Sequence, residues 1–228
     1  MKQIPKKLLF LLFASMLLAS CIEHNAGTAT DNSVQKEISP HKSVYYWKTT
    51  FALDSAERAF IEHHNINRIY LRMFDVALEQ NYETTLPEIV PIATTRFVDT
   101  IPANCEVVPV AYITIDALRA MQGEEAQYAH LIVERMKAMC SYNNCGTIKE
   151  LQLDCDWTQT TRESYATLCS AVKDSLDKED IVLSITVRLH QLQEDPPPAN
   201  RAVLMLYNTG ALKEFDTHNS ILDIKDVK

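Results

Sequence analysis

Two periods of hydrophobicity alternate along the chain. Stretches that are apolar throughout, or at every second residue, predict strands; apolar residues spaced three and four apart predict helices. VYYWKTTF (44–51) reads as a strand, and Asp54 with Glu57 then makes a capping-box pattern that opens a helix with Ala56, Ala59, Phe60 and His63 on one face. RIYLRMFDV (68–76) is the next strand, followed by a proline-punctuated segment in which ATTRFV is a further short one. EVVPVAYIT (106–114) is again a strand, and 124–140 carries Ala129, Ile132, Val133, Met136 and Cys140 at helical spacing. ELQLDCDWT (150–158) precedes a helix opened by Thr160 and Glu163, with Tyr165, Leu168, Cys169, Val172 and Leu176 as its buried face. IVLSITVRL (181–189) and AVLMLYNTG (202–210) follow, and SILDIKD near the end is one more candidate strand.

Strands separated by helices predict a parallel sheet, and about six of them in a chain of this size favour an α/β fold of the (β/α) TIM-barrel type over a doubly wound sheet. A closed barrel takes about eight strands and ~250 residues. The pattern therefore describes an incomplete barrel, and three alternatives stand: a barrel truncated relative to its kin, one that is incomplete or permuted, or an open sheet.

Composition narrows the chemistry. With 228 residues, 46% of them hydrophobic and 23% charged, the chain can bury a full core. A formal net charge of −8 leaves no basic stripe for a phosphate backbone, which sets nucleic acid aside as a partner. There are four glycines in all and neither phosphate-binding glycine motif, so no nucleotide cofactor is expected, nor any other.

The first residues concern location. Lys2, Lys6 and Lys7 followed by an apolar stretch from Leu8 to Leu18 make a secretion signal (1–20), too short for a comfortable membrane span. Leu18-Ala19-Ser20-Cys21 resembles a bacterial lipobox, which implies lipidation of Cys21, a membrane anchor and, with Ile22 next, the outer membrane. Residues 21–43 then read as lipidated Cys and flexible tether, and 44–228 as the folded domain. Five cysteines remain, an odd number; Cys140 and Cys145 flank SYNN closely enough to bridge, with buried free thiols as the alternative, and Cys155 and Cys169 read as core.

Candidate chemistry centres on Asp154 and Asp156. Strand alternation puts Gln152, Asp154, Asp156 and Thr158 on one face, with Leu151, Leu153, Cys155 and Trp157 facing the helices. The two acids are then ~6.6 Å apart at the strand's C-terminal end, where barrel enzymes keep their sites, and like charges there raise one pKa. The same alternation brings Ser184, Thr186, Arg188 and His190, then Tyr70 and Arg72, then Tyr112, Met205 and Tyr207 to the mouth. The competing reading pairs Arg72 and Arg188 with the aspartates in a purely structural ion network. A divalent ion on the two aspartates and His190 is a weaker option, because nothing fixes a third ligand, and no metal is expected.

LQLDCDWT resembles the DxxDxDxE strand of the family 18 glycoside hydrolases, and MLYN (205–208) resembles the MxYD motif that this family carries later in the chain. The resemblance implies a glycosidase-type barrel in which Asp154 and Asp156 match the second and third aspartates, Tyr207 the motif tyrosine and Asn208 its aspartate. Leu151 stands for the first aspartate, and Thr158 for the acid glutamate, which a hydroxyl cannot replace as proton donor. Over 44–210 the chain also resembles a group of Bacteroidetes lipoproteins related to such barrels.

Two functions follow as expectations. In one, a glycoside hydrolase-like site binds or cleaves a glycan, with Asp156, Asp154 and Tyr207 at the chemistry and Arg72, Tyr112, Arg188, His190 and Asn208 contacting the sugar. In the other, a degenerate barrel serves as a non-catalytic envelope binding or assembly lipoprotein.

Overall fold

The computed structural model describes residues 41–207. Cys21, the signal and tether segments, Asn208 and SILDIKD lie outside the described residues. Six strands run parallel in one sheet: β1 (Ser43–Tyr46), β3 (Arg68–Gln80), β6 (Glu106–Ile113), β7 (Glu150–Asp154), β8 (Val182–Arg188) and β9 (Arg201–Met205). Their spatial order is their chain order, β1-β3-β6-β7-β8-β9. A doubly wound sheet reverses direction at a switch point. Here each new strand joins on the same side, so the sheet is an open arc of a (β/α) barrel.

The crossovers are uneven. Helix α1 (Ser55–His63) joins β1 to β3, α2 (Ile115–Ala120) and α3 (Glu125–Tyr142) join β6 to β7, and α4 (Arg162–Leu176) joins β7 to β8. Between β3 and β6 the chain instead forms β4 (Pro87–Ile92), antiparallel to the far half of β3, and a two-residue strand β5 (Arg96–Phe97) paired with β2 (Thr50–Phe51). Between β8 and β9 there is only a 3-10 turn at Leu189–Gln193 and the run Pro196 to Pro198.

The helices α3 and α4 bury the faces their spacing predicts, Ala129, Ile132, Val133, Met136 and Cys140 on one and Tyr165, Leu168, Cys169, Val172 and Leu176 on the other. Helix α1 has its capping box, Asp54 accepting from Glu57 N–H and Glu57 from Asp54 N–H, but not its expected face. Only Ile61 is buried; Phe60 is exposed and lies against His64, because Phe51, Leu53 and Ile66 already cover the sheet there. Residues 44–51 are not one strand either. The backbone folds back after Tyr46, whose hydroxyl donates to Thr50 O and accepts from Ala52 N–H, and this splits β1 from β2. Thr161, not Thr160, caps α4, and its hydroxyl turns back to Thr158 rather than forward into the helix.

Helices α1, α3 and α4 all end in the same way. A left-handed residue, Asn65 (φ 53°), Asn144 (φ 52°) or Asp180 (φ 57°), reverses the chain. The following N–H then bonds back five residues: Ile66 to Ile61 O at 2.9 Å, Cys145 to Cys140 O at 3.0 Å and Ile181 to Leu176 O at 3.1 Å (for α4 through a short 3-10 turn). This is the Schellman arrangement, in which the two bonded residues also make an apolar contact.

Candidate functional site

The concave face of the arc is built in tiers. At the N-terminal ends of the strands Glu150, 1% exposed, accepts from Arg68 at 3.2 Å, Arg201 at 2.7 Å and Tyr70 at 3.3 Å, while Arg68 also pairs with Glu106 at 3.2 Å. Above it Tyr45 donates to Gln152 at 2.7 Å and Gln152 to Ser184 at 3.2 Å. Tyr70 and Ser184 thus take the face their alternation predicts but sit below the mouth, and the charged floor carries no sequence signal, since charges at the first residue of a strand read as strand ends.

The acids sit one tier higher, and the structure separates them. Asp154 is buried and accepts from Thr186 and from Arg188 Nη2, the latter at 3.1 Å. Asp156 lies beyond the last residue of β7, has a half-exposed side chain and accepts from Arg188 Nε. Arg188 thus stands between the carboxylates rather than leaving them as a like-charge pair. Burial holds the Asp154 carboxyl above its ordinary pKa; the Thr186 bond and the Arg188 charge pull it down, and Asp156 and Asp75 add smaller upward pushes. The expected mutual repulsion is therefore a minor cause. For Arg188, burial works against its charge, but Asp154 and Asp156 outweigh it and raise the guanidinium.

Arg72 does not join this pair. It makes a bidentate contact with Asp75, Nε to Oδ1 at 2.6 Å and Nη2 to Oδ2 at 2.5 Å, and donates to Trp47 O at 3.3 Å. The reason is a bulge in β3 between Arg72 and Phe74, which inserts Met73 and shifts the alternation. Strict alternation puts Asp75 on the helix side; the bulge turns it to the concave face.

A groove crosses the C-terminal ends of the strands in two basins that share Met205 and Tyr207. One, of about 450 Å³, is lined by Tyr45, Trp47, Tyr112, Asp154 and the Arg72–Asp75 pair. The other, of about 470 Å³, is lined by Asp156, Arg188, Leu189 and His190. Asp154 and Asp156 thus face different basins. Tyr45 and Trp47 stack at 5.6 Å with 5° between planes, and Tyr70 stacks below Tyr45 at 4.7 Å. Arg188 lies over the Tyr207 ring at 5.4 Å. Burial raises the Tyr112 and Tyr207 hydroxyls, so both stay protonated donors near neutral pH.

Of the expected site residues, Asp154, Tyr112 and Arg72 line the first basin, Asp156, Arg188 and His190 the second, and Tyr207 both. His190 has left the strand for the 3-10 turn and is exposed. Thr158 bonds Thr160 and Thr161 in the turn into α4 and brings no acid to the groove. Gln191, buried at 2%, accepts from Arg188 N–H and donates to Trp157 O, fixing the end of β8 against the end of β7. Among the described residues no three His, Cys, Asp or Glu side chains converge as metal ligands.

No family model matches the chain, and no curated protein does. Among solved structures it is similar to a chitinase from Chromobacterium violaceum ATCC 12472, with 10% identity and a TM-score of 0.48, over 74% of this chain and 56% of that one. The chain therefore spans little more than half that protein's length, and a likeness at this level assigns neither family nor activity.

Proposed function

We propose that this chain is a cell-envelope lipoprotein, held by lipid on Cys21, whose open barrel binds a glycan in the groove without hydrolysing it. The observation that carries the reading is the first basin: a stacked Tyr45–Trp47 platform beside a bidentate Arg72–Asp75 pair and a buried Asp154. Sugar rings offer apolar C–H faces and hydroxyl edges, and such a site meets the first with aromatic faces and the second with fixed donors and acceptors. The family 18 resemblance of LQLDCDWT and MLYN supports the same ligand class. Binding rather than cleavage follows from the acids: Thr158 has no proton of suitable acidity, and Asp156 accepts from Arg188, the posture of an acceptor and not of a general acid.

One preparation tests both halves. Cys21→Ala is expected to move the protein from the membrane to the soluble fraction, since no described helix is long and apolar enough to cross a membrane. Screened on a glycan array, that soluble protein should bind, and Trp47→Ala should weaken binding by about tenfold or more with its melting temperature kept. Retention of Cys21→Ala in the membrane overturns the anchor. Absence of binding to every glycan, or release of reducing sugar by the wild type, overturns the binding-only reading.

A further inference from the structure

The three Schellman helix ends bury the same kind of contact with different chemistry. In α1 the contact is Ile61 with Ile66, and in α4 it is Leu176 with Ile181. In α3 the corresponding residues are Cys140 and Cys145, 2% and 5% exposed. As packing alone a cysteine pair is the weakest of the three, because two thiols bury less apolar surface than two branched aliphatic side chains. What it can add is a covalent bond. The backbone bond from Cys145 N–H to Cys140 O at 3.0 Å holds the two residues in register whichever state the sulfurs are in.

The remaining buried thiols are placed differently. Cys155 and Cys169 are 0% exposed, deeper in the core that Cys140 and Cys145 also join. Cys145 lies between exposed Asn144 and exposed Gly146, at the surface end of α3, so an external thiol or disulfide has a route to it when the turn opens. Burial and the neighbouring sulfur hold the Cys140 thiol up. Cys145, flanked by exposed residues, is the sulfur an external disulfide meets first, and Cys140 stands behind it as the second thiol.

We propose that Cys140 and Cys145 are a modification site, closing to a reversible disulfide by exchange with an external small-molecule disulfide such as oxidised glutathione. The Cys145 thiolate attacks one sulfur of the external disulfide; that bond breaks, a mixed disulfide forms at Cys145 and one small thiolate leaves. Cys140 then loses its proton to solvent and attacks the Cys145 sulfur, expelling the second small thiolate. Two protein thiols are oxidised, one external disulfide is reduced to two thiols, and the released protons are taken up by the leaving thiolates. The bond ties the last turn of α3 to the segment that leads into β7.

The test uses the full chain equilibrated with glutathione at an oxidising ratio, quenched in acid, alkylated under denaturing conditions and cut with trypsin. Residues 138–149 form one peptide between Lys137 and Lys149 that contains these two cysteines and no other. The expected result is a peptide about 2 Da lighter than its reduced form and refractory to alkylation, with Cys155 and Cys169 alkylated in the same sample. Thermal melts add a functional readout: reductant should lower the wild-type melting temperature by roughly 4–8 °C and leave the Cys140→Val, Cys145→Val double variant unmoved, because that variant keeps an apolar contact and has no bond to lose. A 138–149 peptide alkylated at both positions under oxidising conditions overturns the proposal. So does a wild type whose melting temperature ignores reductant.

Discussion

Asp154 carries the strongest conflict between burial and charge in the groove. Its side chain is 3% exposed, and the carboxyl answers by titrating above its ordinary value despite Thr186 and Arg188. A carboxyl whose folded pKa lies above its unfolded one binds more protons in the native state within that window, so stability falls as pH rises through it and stays lower above it. Asp154→Asn has no such titration, and it leaves Arg188 still paired with Asp156 rather than orphaned. The melting temperature of the variant minus that of the wild type should therefore rise with pH, from the ordinary carboxylate range to the raised Asp154 value, and then level off. Paired melts across acid pH check this; a difference that falls with pH would show that its partners hold Asp154 down, and a flat one that they cancel the push from burial. The groove's other residues were partly legible for a simple reason. Polar side chains at alternate positions of an apolar strand have few places to go but the concave face, which is how Asp154, Thr186 and Arg188 could be read together. Asp75 was not legible, because one inserted residue reverses the phase and no local signal marks the insertion.

Elements follow their periods where burial is one-sided and long. Helices α3 and α4 span 18 and 15 residues and show the predicted faces, since several turns of apolar spacing leave one solution. Strand β4 has no clear sequence signal because Pro87 and Pro91 argue against a ladder, yet an outer strand needs partners on one side only and tolerates them. Helix α2, with six residues, is shorter than any periodic signal can reveal. The helix ends invite a sharper test. The chain holds four glycines, and each of the three Schellman turns uses Asn or Asp where glycine fits best. Asp180 is the least suited of the three, adding a negative charge near a helix C-terminus whose partial charge is also negative. Asp180→Gly should then stabilise the fold by about 1 kcal/mol, the relief of left-handed strain and dipole repulsion outweighing the added entropy of the unfolded chain. Asn65→Gly should gain about half as much, since Asn tolerates the left-handed region and carries no charge. Urea melts of the two variants decide it; equal gains would remove the dipole from the explanation.

On the scale of the whole molecule, an arc of six strands must hold its concave face without the ring of facing strands that fills a closed barrel with layered aliphatic side chains. Its lower tier does so with charge. Glu150 reaches Arg68 on β3 and Arg201 on β9, so one buried carboxylate on the central strand β7 ties together strands on both sides of it. Removing the carboxylate alone strands Arg68, 8% exposed, with only Glu106 as counter-charge, while Arg201 is exposed enough to turn to water. Breaking a buried pair by one partner costs about 3–5 kcal/mol. Because Arg68 keeps Glu106, Glu150→Leu should cost about 3 kcal/mol, the lower end of that range. Buried ion pairs replaced whole by apolar groups are often neutral, so adding Arg68→Met and Glu106→Gln to Glu150→Leu, which leaves no carboxylate without its guanidinium, should restore most of the loss if the network is only a filler of the arc's floor. Guanidinium unfolding of the two variants measures both values. A triple variant that stays as unstable as the single one would mean that the charges fix the curvature and register of the sheet, and with them the spacing of the groove above.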